Sequence, residues 1–332
     1  MQLTFDGDVV RAGSRAREQF YDSRGYGRVR DGDLDLAPVE AAHLCYRGDI
    51  DGVDGMDLQG LLGSGAVSMV DFLVYKDLRD RGFYLTPARE GWVADPDGFD
   101  FVVYPRGQGP WDDDVAYRVR AVGERDAAPA TSLGDCVLAI VDEESEITYL
   151  DTTDRAVGGT SAVAVPDVTG TLLAERVLCW DPPDALYDLA FYGQRLDEDA
   201  VQLSLVEAAS LARAGTLSVE GGADAVRTRG REVEGERFDR RLTVYAALRD
   251  AGVVPKTGFK FGADFRTYAE VASVDDLGHS ELLVRVLPAD HAFEPRDLAL
   301  DVRLAHGVRK TMVFALVDGE TIQWTGVRRL TP

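Results

Sequence analysis

The chain has 332 residues, of which 45% are hydrophobic and 28% charged. That is apolar material for about two domains, and no uninterrupted apolar run is long enough to cross a membrane. Aspartate and glutamate total 58 against 36 lysine plus arginine, a formal net charge of −22 that argues against nucleic-acid binding in dilute salt. The start, MQLTFDGDVVRAG, lacks the basic-then-apolar order of a signal peptide. Cys45, Cys136 and Cys179 form no CxxC pair, so neither a disulfide framework nor a zinc site is expected, and a cytoplasmic setting fits. The chain carries YDSRGYG at 21–27, and short strands with a helix should open this region. In LAPVEAAHL (36–44), Pro38 can open a helix, where a missing N–H costs nothing. A helix is predicted over Val67–Arg81, with Val70, Leu73, Val74 and Leu78 on one side and Gly82 as its terminating glycine. FDFVVY (99–104) and VLAIVD (137–142) read as strands, and the latter runs into the acidic stretch DEESE (142–146). A Gly/Thr/Pro-rich stretch follows at 158–170.

Beyond it the same signals recur in order. YDLAFYG (187–193), LSLVEAASL (203–211), VYAALRDAG (244–252), GADFRTY (262–268) and VFALVD (313–318) match the earlier segments. In the second copy Ser204 and Glu207 make a capping box, and Gly252 stands where Gly82 did. One long unit written twice is a duplicated domain, not a solenoid. The expected organisation is residues 1–165 and 166–332, with a last subdomain at about 241–332. The class is mixed α/β or α+β, with a further helix near Leu298–Ala305. KTGFKFGADFRTY (256–268) alternates around Phe259, Phe261 and Phe265, as a strand with one buried face would. Gly258 and Gly262 clear space there for a backbone or ligand.

Only four of the 36 basic residues are lysine (Lys76, Lys256, Lys260 and Lys310). Two readings of the acidity compete: a neutral or cationic partner, or a cytoplasm so salty that repulsion is screened within about 3 Å at 1 M. The scarcity of lysine favours the second, a halophile's composition. His43, His279, His291 and His306 are the histidines, and none belongs to a metal-binding or phosphate-loop motif. Read singly, Tyr268 is a core or rim tyrosine, His279 a loop histidine and Lys310 a solvated helix end. His306, in phase with Ala305, reads as packed.

KTGFKFGADFRTY, HSELLVRV and VRLAHGVRK, in this order and spacing, closely resemble the archaeal tRNA-splicing endonucleases, most specifically over 245–318. The resemblance implies a restriction-endonuclease-like subdomain ending each repeat, a structural first repeat and a catalytic second one. It implies a triad of Tyr268 as base, His279 as acid and Lys310 as electrostatic stabiliser, cleaving RNA with no metal or other cofactor. The implied partners are precursor tRNA with a bulge-helix-bulge and a second copy of the chain, with no membrane. Arg303 and Arg329, or Arg328 in place of the latter, would clamp a bulge base. Asp142, Glu143, Glu144 and Glu146 would dock on the other subunit. The sequence departs from the family with Gly307 where a serine is common and Pro255 where a valine is common. In the first copy Tyr104 falls opposite Tyr268, a position near Asp114 opposite His279, and about Gly134 opposite Lys310, so the acid and the cation are missing there.

Two other classes compete. A metal-dependent DNA nuclease of the same fold would want an acidic pair, for which Asp264 and Glu281 are available, plus a lysine that does not follow Glu281. An acidic scaffold binding RNA or protein would need none of the triad.

Overall fold

A computed structural model describes residues 3–112 and 114–332. The chain divides into two units. The first holds residues up to 153 with 292–299 and 329–332, and the second holds 154–291 with 300–328. The mixed α/β class is as expected.

The first unit opens with a four-stranded antiparallel sheet (Leu3–Phe5, Val10–Ala12, Asp33–Leu36 and Arg28–Arg30). Helix α1 (Pro38–Tyr46) follows, with Pro38 in its first turn. Helix α2 (Met69–Asp80) starts two residues later than predicted, because the Ser68 side chain accepts from the Asp71 N–H and caps it. Its buried face is Phe72, Val74, Tyr75 and Leu78, so the aromatics rather than Val70 and Leu73 point most deeply inward. Strands β1 (Leu85–Pro87), β2 (Phe101–Val103), β3 (Tyr117–Gly123), β4 (Cys136–Val141) and β5 (Ile147–Asp154) come next. Only β3 and β4 are parallel neighbours, and the other adjacent pairs are antiparallel. β4 is buried along its whole length, as a strand covered on both faces must be.

The second unit repeats this plan. A small antiparallel sheet (Thr171–Leu172, Arg176–Trp180, Ala200–Ser204 and Gln194–Arg195) precedes helix α3 (Leu205–Arg213). Ser204 and Glu207 form the expected capping box on α3. Helices α4 (Gly222–Glu234) and α5 (Arg237–Asp250) follow. Gly82 after α2 and Gly252 after α5 both take positive φ, the conformation that ends a helix. Strands β6 (Val254–Thr257), β7 (Phe265–Tyr268) and β8 (Leu282–Pro288) are followed in the chain by helix α6 (Pro295–Gly307), of which 300–307 belong to this unit, then β9 (Thr311–Asp318) and β10 (Thr321–Leu330), of which 321–328 do. Again one pair, β8 with β9, is parallel and the other adjacent pairs are antiparallel. α5 packs on this sheet through a core that includes Tyr245, Phe265, Val284, Val313 and Ala315.

One sequence expectation fails here. KTGFKFGADFRTY is not a single alternating strand but a hairpin, β6 and β7 joined through a 3-10 turn at Phe259–Phe261. Phe259 is 86% exposed, so the aromatic period did not mark a buried face. Gly258 is required: a Cβ there would stand 2.8 Å from the Ala263 carbonyl oxygen. Pro255 sits in β6, at the end of this unit's strand order, where a residue without an N–H is tolerated.

Candidate active site

Backbone register builds the site. β7 runs antiparallel to β8, with Thr267 opposite Leu282, and β8 runs parallel to β9, with Leu282 opposite Thr311. The next step outward is tied as well: the Glu281 N–H donates to the Thr267 carbonyl, and the Thr311 N–H donates to the Glu281 carbonyl. Tyr268 closes β7, His279 and Ser280 lead towards β8, and Lys310 immediately precedes β9. Three chain segments therefore bring these positions to the ends of neighbouring strands in one sheet.

Each is held differently. Tyr268 is 9% exposed and packs with Phe191, Val254 and Val271, its ring centroid 5.9 Å from that of Phe191. Lys310 is half-buried, and its Nζ donates to the Ser280 carbonyl at 2.5 Å, which ties the cation to the residue beside His279. Its Nζ also lies 5.8 Å from the Phe261 ring centre. Burial, and then the neighbouring Arg266 guanidinium, lower the Lys310 pKa. His279 is exposed, in a stretch of no regular structure. Gly307 ends α6 with open space where a Cβ would be, so a serine would fit there.

Sequence reasoning overlooked two groups behind the tyrosine. Lys256 and Glu207 are a buried pair with Nζ to Oε1 at 3.1 Å. Lys256 also donates to the carbonyls of Gly193 and Phe191 and sits 4.5 Å from the Phe191 ring centre. Burial pushes Glu207 up, but the Lys256 charge and N–H donors from Ser204 and Gly193 outweigh it and hold Glu207 down at about 2. The pair thus fixes Phe191, the ring against which Tyr268 leans. The second group is Arg266, whose guanidinium carbon is 5.9 Å from the Tyr268 ring centre. The period of a strand would have found it, since residues two apart share a face.

The first unit shows the same register with different chemistry. Val103 opposes Tyr117 as Thr267 opposes Leu282, and Val119 opposes Val137 as Val284 opposes Val313. Counting along these ladders brings Tyr104, Asp114 and Gly134 to the places of Tyr268, His279 and Lys310. The Tyr104 hydroxyl is 2.9 Å from Thr86 Oγ1, and burial raises its pKa. Thr86 occupies the register position of Lys256. Without that cation, burial raises Glu40, the counterpart of Glu207, to about 7 despite N–H donors from Gly27 and Ala37.

The remaining expectations lie elsewhere. Arg303 is exposed on α6, and Arg329 is exposed near the end of β10. His306, expected to be packed, is exposed at the end of α6, while Ala305 beside it is buried. DEESE is the turn between β4 and β5. Asp142 Oδ1 accepts from the N–H groups of Glu144 and Glu146, and Glu143 pairs with Arg125 at 2.7 Å. Asp142 therefore shapes the turn, while Glu143, Glu144 and Glu146 are exposed. The acidic pair of the alternative nuclease is not assembled: Asp264 is buried against Arg237 and Arg241 and accepts the Val286 N–H, and Glu281 is exposed. Among the described residues, no group of three or more His, Cys, Asp or Glu is gathered as a metal cluster would be, and no helix is long and apolar enough to cross a membrane.

Comparisons with known proteins agree with this layout. The family described as tRNA intron endonuclease, catalytic C-terminal domain, matches residues 238–324. The tRNA intron endonuclease N-terminal domain matches twice, at 1–62 and 168–229. A curated protein of Haloarcula marismortui named tRNA-splicing endonuclease is 75% identical, with 100% of both chains covered. Proteins of the same name from Haloferax volcanii and Methanosarcina acetivorans are 60% and 36% identical, covering 100% and 99% of both chains.

Proposed function

The chain belongs to the tRNA-splicing endonuclease family, and from that premise we propose that it cuts precursor tRNA at intron boundaries within a bulge-helix-bulge, using Tyr268, His279 and Lys310. The supporting observation is the sheet edge at which the register gathers these three positions in the second unit. Tyr268 takes the proton from a ribose 2′-OH. The 2′-oxygen then bonds to the adjacent phosphorus, while the bond from phosphorus to the 5′-oxygen breaks. His279 in its protonated form gives that oxygen its proton, and Lys310 faces the charge on the pentacoordinate phosphorane. The products are a 2′,3′-cyclic phosphate and a 5′-OH. Tyrosine is an unusual choice of base, and the Arg266 guanidinium carbon lies 5.9 Å from its ring centre.

The first unit has Asp114 and Gly134 at the positions of His279 and Lys310, so on this reading one chain offers one site. Two cuts related by approximate two-fold symmetry call for a symmetric pair of chains, with the 142–146 turn as a docking element and Arg303 with Arg329 as base-stacking groups. The three cysteines are unpaired, in keeping with a reducing cytoplasm. The deciding experiment incubates the protein with a bulge-helix-bulge RNA in concentrated salt, with and without a chelator of divalent ions. Cyclic-phosphate and 5′-OH ends at both bulges, formed equally with the chelator, are expected. Cleavage that needs the divalent ion, or that leaves 5′-phosphate ends, would remove the triad mechanism.

A further inference from the structure

Arg266 shares a strand face with Tyr268, two residues away on β7. Its guanidinium lies 5.9 Å from the Tyr268 ring centre, and its charge reaches Lys310. It is therefore a neighbour common to the base and the electrostatic group.

Its own partners bear on its role. In a chain of net charge −22, Arg237 and Arg241 share Asp264, and Arg285 pairs with Asp301. No carboxylate pairs with Arg266 among the described residues, and its Nε is buried without a hydrogen-bond partner. Directly across the β6–β7 ladder stands Lys256, a second cation, whose carboxylate partner Glu207 is already engaged. Like charges facing each other across a ladder destabilise a sheet. An unpaired buried donor adds a further cost. The register counterpart in the first unit, where the positions of His279 and Lys310 are Asp114 and Gly134, is the apolar Val102. The unfavourable cation is thus confined to the unit that holds the reacting groups. An anion from outside the chain would satisfy it.

We propose that Arg266 is a fourth catalytic residue, donating to a non-bridging oxygen of the scissile phosphate so that the phosphorane is held between Arg266 and Lys310. Its planar fork suits phosphate oxygens, and its contact strengthens as negative charge gathers on them. The inference rests on the RNA-cleavage reading above.

The test measures single-turnover cleavage and RNA affinity for the parent, Arg266→Met and Arg266→Lys, with thermal unfolding of each. Arg266→Met is expected to lower the rate at saturating RNA about 10²-fold, with affinity changed far less. Arg266→Lys should recover much of that loss. Added guanidinium ion, well below denaturing concentration, should partly restore Arg266→Ala. A parent that does not cut the RNA removes the underlying reading. A parent that cuts, with Arg266→Met cutting at the same rate, removes only this inference. Equal losses for the Met and Lys variants with no guanidinium rescue, or a loss in affinity alone, would assign Arg266 to the sheet or to general RNA attraction and overturn the proposal.

Discussion

Residue by residue, the proposed acid His279 is exposed and the proposed base Tyr268 is packed. His279→Ala should lower the cleavage rate by about 10²-fold or more while RNA binding persists, because a general acid acts in the transition state. Gel-shift affinity and single-turnover rates on one preparation check this; parent-like cleavage across neutral pH would exclude the acid role. Tyr104→Phe should leave cleavage intact, since its hydroxyl meets Thr86 and no cation, whereas Tyr268→Phe should abolish it. The capping glutamates carry opposite pH signatures. Glu207 is held below the 4.5 of an ordinary glutamate, so its contribution is present above pH 4.5 and is lost as pH falls towards about 2. Glu40 is raised to about 7, so stability is full below pH 4.5 and declines as pH rises through 7. Glu207→Gln strands the Lys256 ammonium and should cost about 3–5 kcal/mol at neutral pH. Glu40→Gln should instead flatten the decline between pH 4.5 and 7. Urea melts across pH measure both.

At the scale of elements, a signal is legible in the sequence where its cause is local. The Ser204 capping box, Pro38 at the head of α1, and the glycines after α2 and α5 were legible because each answers to neighbours within a few residues. The β6–β7 hairpin was not, because the same phenylalanine spacing serves a strand or a turn, and only pairing with β8 decides. His306 failed by one position on the helix. Arg266 and Lys256 were visible as letters but carried no meaning until Glu207 and Phe191, distant in sequence, were seen beside them. The 142–146 turn also changes its own test. Asp142 holds the turn through two N–H donors, so replacing it confuses folding with docking. Glu143, Glu144 and Glu146 changed to Ser, with Asp142 kept, should give a folded chain that dimerises more weakly and cuts more slowly. Light scattering and activity on one sample decide, and a full-strength dimer would leave the turn as a solvated tip.

Across the whole molecule, the recurring order of motifs was the most legible feature, since it needs no three-dimensional information. The structure adds that both copies use one strand order with a single parallel step. That step is also where they diverge. The first unit passes from β3 to β4 with a 3-10 turn (Ala130–Ser132), whereas the second passes from β8 to β9 with helix α6. The Lys310 N–H donates to the Ala305 carbonyl, so the cation leaves the helix with no slack before β9.

The place of Lys310 is thus set by chain length as much as by side-chain identity. Side chains in a strand alternate faces, so a shift of one position between β8 and β9 turns Lys310 away from the Ser280 carbonyl to which it donates. One alanine inserted between Gly307 and Lys310 should therefore silence cleavage almost as fully as removing the lysine, with folding largely kept. An alanine inserted into the exposed turn at Asp318–Thr321 should be tolerated. Among working relatives, the stretch from Ala305 to Thr311 should be free of insertions and deletions even where its residues differ.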